Sequence, residues 1–149
     1  MPEPEGIATT LPVRADIPVR FRDIDGLGHV NNAVVMTYLE IARETYWRRA
    51  GLGLDISDYA FLLARSECDF RAPIPYGETV AVHLGCPRLG TKSWDFVYRV
   101  ESADGQRLYA QARTVQVAVE FPSGRSCAIP DSVRVAFARI EGRDASTAP

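Results

Sequence analysis

Apolar and polar positions alternate along this chain with two different periods, and the change of period sets out its elements. From Ala33 to Ala50 there is no Gly or Pro, and Thr37, Glu40, Glu44 and Arg48 recur every three or four residues along one stripe. Val34, Val35, Met36, Tyr38, Leu39, Ile41, Ala42, Tyr46 and Trp47 cover most of the remaining circumference. That spacing predicts one helix of about 18 residues and about 27 Å, apolar over so much of its surface that other structure must wrap it. Asn31 and Asn32 are good N-cap residues, and Gly51 supplies a left-handed stop. Glu44 and Arg48 are spaced to pair on the wet stripe.

Around the helix the period falls to two. Asp16 to Asp23 places Ile17, Val19 and Phe21 on one side and Pro18, Arg20 and Arg22 on the other, and Pro18 marks this as an edge strand. Leu52 to Tyr59 is a connection. Phe61 to Arg71 then sets Ala64, Ser66, Cys68 and Phe70 against Arg65, Glu67, Asp69 and Arg71, a half-buried strand. Pro73, Pro75 and Gly77 turn into a third strand carrying Val80, Val82 and Leu84. Leu89-Gly90-Thr91 turns into a fourth with Trp94, Phe96, Tyr98 and Val100 on one face. Asp104-Gly105 has the signature of a two-residue hairpin, and a fifth strand runs from Leu108 to about Phe121. Its Ala110, Ala112 and Thr114 are small, as they would be under a close helix. Ile129 to Ile140 reads as a short amphipathic segment or a final strand.

One early helix followed by strands joined through tight turns predicts an α+β fold, an antiparallel sheet of five to six strands curled round the helix. Its open edges are suited to pairing with a second copy. The domain spans residues 15–140, between a Pro-, Glu- and Thr-rich arm at 1–14 and a frayed tail at 141–149.

Composition narrows the field of functions. A chain of 149 residues, 46% hydrophobic and 24% charged, fits one soluble globular core. Its net charge of −2 argues against nucleic acid or an anionic membrane as partner. Of its 17 cationic residues only Lys92 is lysine, so any anion site is mostly arginine-made. No apolar run reaches bilayer length, and the acidic start lacks the basic region of a signal peptide. Cys68, Cys86 and Cys127 form no C-x-x-C pair and read as reduced packing residues in a cytoplasmic protein.

Candidate chemistry concentrates between Asp23 and Asn32. By spacing alone, Asp23 reads as a turn former, and Asp25 stays open between that and a carboxylate facing a cleft beside the helix start. His29 reads first as a hydrogen-bonded loop residue and second as a catalyst; His83 reads as a plain strand residue. A calcium loop starting at Asp23 would need ligands where Leu27 and Val34 stand, and zinc would need more clustered His and Cys. The Asp-x-Asp-Gly loop of haloacid-dehalogenase-like phosphatases follows a buried, apolar parallel strand, whereas Arg20 and Arg22 interrupt this one. Neither a metal nor a cofactor is expected.

The stretches RFRDIDGLGHVNNAVVMTYLEIAR, ECDFRAPIPYGETVAV and RLGTKSWDFVYRV, in that order, closely resemble hotdog-fold thioesterases of the 4-hydroxybenzoyl-CoA thioesterase and YbgC-like group. The likeness covers about residues 15–120. It implies a hotdog fold and hydrolysis of acyl-CoA, or of acyl chains on an acyl carrier protein, by a homo-oligomer (dimer or tetramer). A non-catalytic hotdog module that binds acyl or aromatic ligands is the alternative from another class. By resemblance Asp25 is the catalytic carboxylate, as general base or nucleophile, and His29 is a further site residue. Asn32 and the start of the helix would supply N–H donors to the thioester carbonyl. Lys92, Ser93 and Arg88 are expected to contact the CoA nucleotide, and in a dimer they would serve the other subunit's Asp25.

Overall fold

The computed structural model describes residues 11–53, 55 and 61–143. The arm up to residue 10, most of the connection after Leu52 and the last six residues of the tail lie outside them. Five strands form one antiparallel sheet: β1 (Val13–Pro18), β2 (Phe61–Phe70), β3 (Thr79–Leu89), β4 (Ser93–Ser102) and β5 (Leu108–Ala118), in the spatial order β1-β3-β4-β5-β2. Helix α1 (Asn32–Arg49) lies across one face, and a second helix, α2 (Asp131–Glu141), packs at the end of β3. The hotdog architecture expected from the sequence is the one observed, with five strands.

Helix α1 follows its pattern closely. Val35, Tyr38, Leu39, Ala42, Tyr46 and Trp47 are buried, while Thr37, Glu40, Glu44 and Arg48 lie toward solvent. Glu44 and Arg48 pair at 2.8 Å. Val34, Met36 and Ile41 are only partly covered, so one flank of the helix stays open in the single chain. Beneath its C-terminal half lies an aromatic cluster, with Tyr46 against Phe96 at 4.8 Å and Trp47 stacked on Trp94 at 6.2 Å between ring centroids.

Several local expectations change. β1 begins at Val13, within the stretch read as arm, and ends at Pro18. Asp23 then accepts the backbone N–H of Arg20 and winds Phe21–Asp23 into a 3-10 turn, which leaves Phe21 78% exposed, not buried with Ile17 and Val19. The β4–β5 connection is wider than two residues, because Ser102 N–H already pairs with Arg107 O. Segment 129–140 is not a final strand, since α2 takes it and buries Val133, Ala136, Phe137 and Ala138. Finally, α1 approaches β1 and β3 most closely. The small residues of β5 instead face large neighbours across the ladder, Ala112 opposite Tyr98 and Thr114 opposite Phe96.

β3 carries an irregularity between Gly85 and Arg88. There the Cys86 N–H is caught by the Glu141 carboxylate at 2.7 Å, which also accepts the Tyr46 hydroxyl at 2.7 Å. A bulged strand leaves backbone groups without ladder partners, and here α2 satisfies one. Burial raises the Glu141 carboxyl above its usual range despite these donors.

Candidate functional site

The segment leading into α1 contains two aspartates with opposite surroundings. Asp23 is 1% exposed. It accepts the backbone N–H of Arg20 (2.9 Å), the Arg20 guanidinium (2.9 Å) and the Tyr38 hydroxyl (2.7 Å). Burial alone would raise its pKa, but these donors outweigh burial and hold it below the usual carboxylate range. Both of its oxygens are engaged in joining the 3-10 turn to α1.

Asp25 is exposed in the single chain. Its Oδ1 receives the Leu27 N–H at 2.9 Å, and its Oδ2 receives the Asn31 side-chain amide at 3.4 Å. Its backbone closes a tight loop, with Asp25 N–H to His29 O and Gly28 N–H to Asp25 O, both at 3.0 Å. Gly28 sits at φ 79°, a conformation glycine adopts without strain. Asn31, not Asn32, is the cap. Its Oδ1 accepts from Ala33 N–H at 2.8 Å, and its carbonyl accepts from Val34 and Val35. Of the first-turn donors this leaves the Asn32 N–H without a partner among the described residues. Asn31 therefore ties the carboxylate of Asp25 to a helix start that presents one free donor and the positive end of the dipole. His29 is exposed, and its backbone bridges to Pro75.

A carboxylate beside a free N–H can orient or activate water and stabilise a developing oxyanion. No other chemistry of comparable definition appears among the described residues, which hold no group of three or more His, Cys, Asp or Glu fit to bind a metal. Burial pushes the thiols of Cys86 up to about 12 and Cys68 up to about 11, which removes them as nucleophiles.

The residues expected at the nucleotide lie elsewhere. Arg88 bonds Asp95 (2.6 Å) and Ser93 Oγ (3.1 Å), and Asp95 is also held by Arg113. Burial would raise the Asp95 carboxyl, but its two arginines hold it low. Two of the three residues are thus engaged internally, whereas Lys92 is exposed and forms no ion pair among the described residues. All three stand where Ser93 faces Val117 and Phe61 faces Ala118, whereas the Asp25 loop bridges to Pro75, just before β3 starts opposite Pro18 at Thr79. The length of β3, roughly 30 Å, separates the two ends. A single chain does not bring Asp25 and Lys92 together.

A cavity of about 750 Å³ opens between the C-terminal half of α1, the start of β2 and the segment after β5. Trp47, Phe61, Phe96 and Phe121 give it aromatic walls, and Arg43 and Glu40 also line it. Asp25 is not among its lining residues. Sequence reasoning missed Arg43, although it shares the i, i+4 spacing of buried Leu39 and Trp47. It also missed Tyr38 as the partner of Asp23; only the fold brings those two together.

The sequence matches the thioesterase-like superfamily over residues 19–137, and the chain belongs to that family. A thioesterase from Thermus thermophilus, solved with coenzyme A and zinc, is 36% identical, with a TM-score of 0.78 over 90% of this chain and 97% of that one. A 1,4-dihydroxy-2-naphthoyl-CoA hydrolase from Synechocystis is 24% identical over 127 residues, covering 83% of this chain and 92% of its own. A gentisyl-coenzyme A thioesterase is 25% identical, with a TM-score of 0.76 over 84% of this chain and 99% of that one.

Proposed function

We propose that this protein hydrolyses acyl-CoA thioesters to the free acid and CoA, with Asp25 as the reacting carboxylate. The observation that carries this reading is the Asn31 link, which holds Asp25 beside a helix start whose Asn32 N–H is unpaired among the described residues. In the reaction the thioester carbonyl oxygen accepts from that N–H while negative charge builds on it. Asp25 takes a proton from water as the water attacks and the CoA thiolate leaves, or attacks the carbonyl itself, expelling CoA and forming a mixed anhydride that water then opens to the free acid. His29 shapes the loop through its contact with Pro75. The named relatives acting on CoA thioesters support the substrate class.

The working unit in this reading is a dimer joined through β2. That edge strand exposes Leu62, Leu63 and Phe70 and offers unpaired backbone groups along its outer side. Antiparallel pairing of two copies of β2 sets the Phe61 end of one beside the Phe70 end of the other. The partner's β3–β4 turn and its cavity then lie at the same end as this chain's Asp25. Lys92, as the exposed cation of that turn, is the group suited to a CoA phosphate across the interface, and Arg88 positions Ser93 beside it. Three free thiols suit the reducing cytoplasm.

The test is thiol release from a panel of acyl-CoAs and matched acyl carrier protein thioesters, by the native protein and by Asp25→Ala. Release from acyl-CoA that the substitution abolishes is expected. Release from the carrier protein alone would change the substrate class, and no release from any thioester would leave a binding module.

A further inference from the structure

Arg43 is a cation on the wall of a largely aromatic cavity, and among the described residues its one hydrogen bond runs from Nη1 to the Tyr98 hydroxyl at 3.2 Å. It forms no ion pair with any of them. Glu44 on the same helix is taken by Arg48. The guanidinium presents five donors in a planar fork, and those beyond the one on Tyr98 have no acceptor among the described residues. Donors desolvated without an acceptor are costly, and a ligand that supplies one gains specificity as well as affinity.

What holds Arg43 is a polar chain running under α1. Tyr98, 2% exposed, pairs with Thr114 Oγ1 at 2.8 Å, and Gln116 donates to the same Thr114 oxygen. Gln116 is fully buried, and its Oε1 has no partner among the described residues. Four polar residues on the helix-facing side of an apolar core cost much desolvation if they only pack. Their geometric effect is to fix one guanidinium edge and leave the rest of the fork available.

The charge around the cavity narrows what that fork would meet. Glu40 shares its lining with Arg43 and already offsets the guanidinium charge there, so the local balance does not favour an incoming carboxylate. A neutral oxygen acceptor, a hydroxyl or a carbonyl, fits both the donors and the charge. Building on the thioesterase reading, we infer that Arg43 is a specificity-determining residue that recognises a neutral oxygen on the acyl group, at its end far from the thioester. Two geometries present the same chemistry. Along one chain, the 11 residues from Asn32 to Arg43 span roughly 16 Å, the reach of a long hydroxyacyl chain. Across the β2-joined dimer, an aromatic acyl group on one Asp25 would enter the partner's cavity.

The experiment measures kcat/KM on two substrate pairs, benzoyl-CoA with 4-hydroxybenzoyl-CoA and dodecanoyl-CoA with 12-hydroxydodecanoyl-CoA. Native protein should favour the hydroxylated member of one pair at least tenfold, and which pair responds identifies the geometry. Arg43→Leu should bring that ratio close to one, mainly through KM. Arg43→Lys, which keeps the charge and the long stem, should give an intermediate ratio and guards against misfolding of the leucine variant. Equal rates within both pairs by native protein, or a ratio that survives Arg43→Leu, would overturn the inference while leaving the thioesterase reading intact. Hydrolysis of none of the four would overturn both.

Discussion

Asp23 and Asp25 are two residues apart and chemically identical, yet the fold treats them in opposite ways. Asp23 is enclosed, and Arg20 and Tyr38 occupy its oxygens. Asp25 stands in the open, with a short bond to one oxygen and a long one, 3.4 Å, to the other. A carboxylate already saturated with strong donors has little basicity or reach to offer a substrate. One steered lightly by an amide stays within reach of a substrate. The 3-10 turn is what separates them, because it ends the β1 direction before Asp25 and starts a glycine loop in its place.

Substitutions can break this division in a graded series. The largest effect is expected from Asp25→Ala, a loss of about 10³ in kcat/KM on any acyl-CoA the protein hydrolyses, within the range for a positioned acid or base. Its melting temperature should stay near that of the native protein, since the bonds lost are on the surface. Asp23→Ala should reverse the pattern, costing about 2–3 kcal/mol of stability by urea unfolding. That is below the cost of a fully buried pair because Arg20 is half exposed. Tyr38→Phe, which removes one of the same bonds, should cost about 1 kcal/mol.

The two positions should also differ with pH. The pKa of Asp23 is depressed in the folded chain, so its contribution to stability is full above the unfolded value of about 4 and is lost as pH falls through the lower folded value. The stability gap between native protein and Asp23→Asn should therefore narrow below about pH 4 in acid unfolding curves. Asn31→Ala joins both halves of the comparison. Loss of the cap should cost about 1 kcal/mol, and release of the Asp25 side chain should lower kcat more than it raises KM. The smallest effect is reserved for Lys92→Ala, a few-fold rise in KM for acyl-CoA that added salt erases, as for an exposed phosphate contact.

Much of this is legible in the chain. Strict alternation in Trp94, Phe96, Tyr98 and Val100 marks β4, and the polar stripe of α1 reads residue for residue. Asp25 can be singled out only through family resemblance, because spacing does not tell a turn aspartate from a reacting one. The Asn32 N–H that the resemblance points to is unpaired among the described residues, while the capping itself falls to Asn31. Phe21 misleads because one side-chain bond, Asp23 to the Arg20 N–H, outweighs its apolar periodicity. Segment 129–140 is ambiguous because Val133, Val135 and Phe137 alternate like a strand while Val133, Ala136 and Phe137 recur like a helix. Glu141 resolves it by reaching the Cys86 N–H from a helical turn. Arg43 and Tyr98, 55 residues apart, carry no pattern in common.

The most direct measurement compares Asp23→Asn and Asp25→Asn in one experiment, recording acyl-CoA hydrolysis and thermal melting of each. We predict that Asp25→Asn melts with the native protein and loses at least about a hundredfold in kcat/KM, while Asp23→Asn melts several degrees lower and, below its transition, hydrolyses at close to the native rate. Native-like hydrolysis by Asp25→Asn would contradict the assignment of the chemistry to that carboxylate.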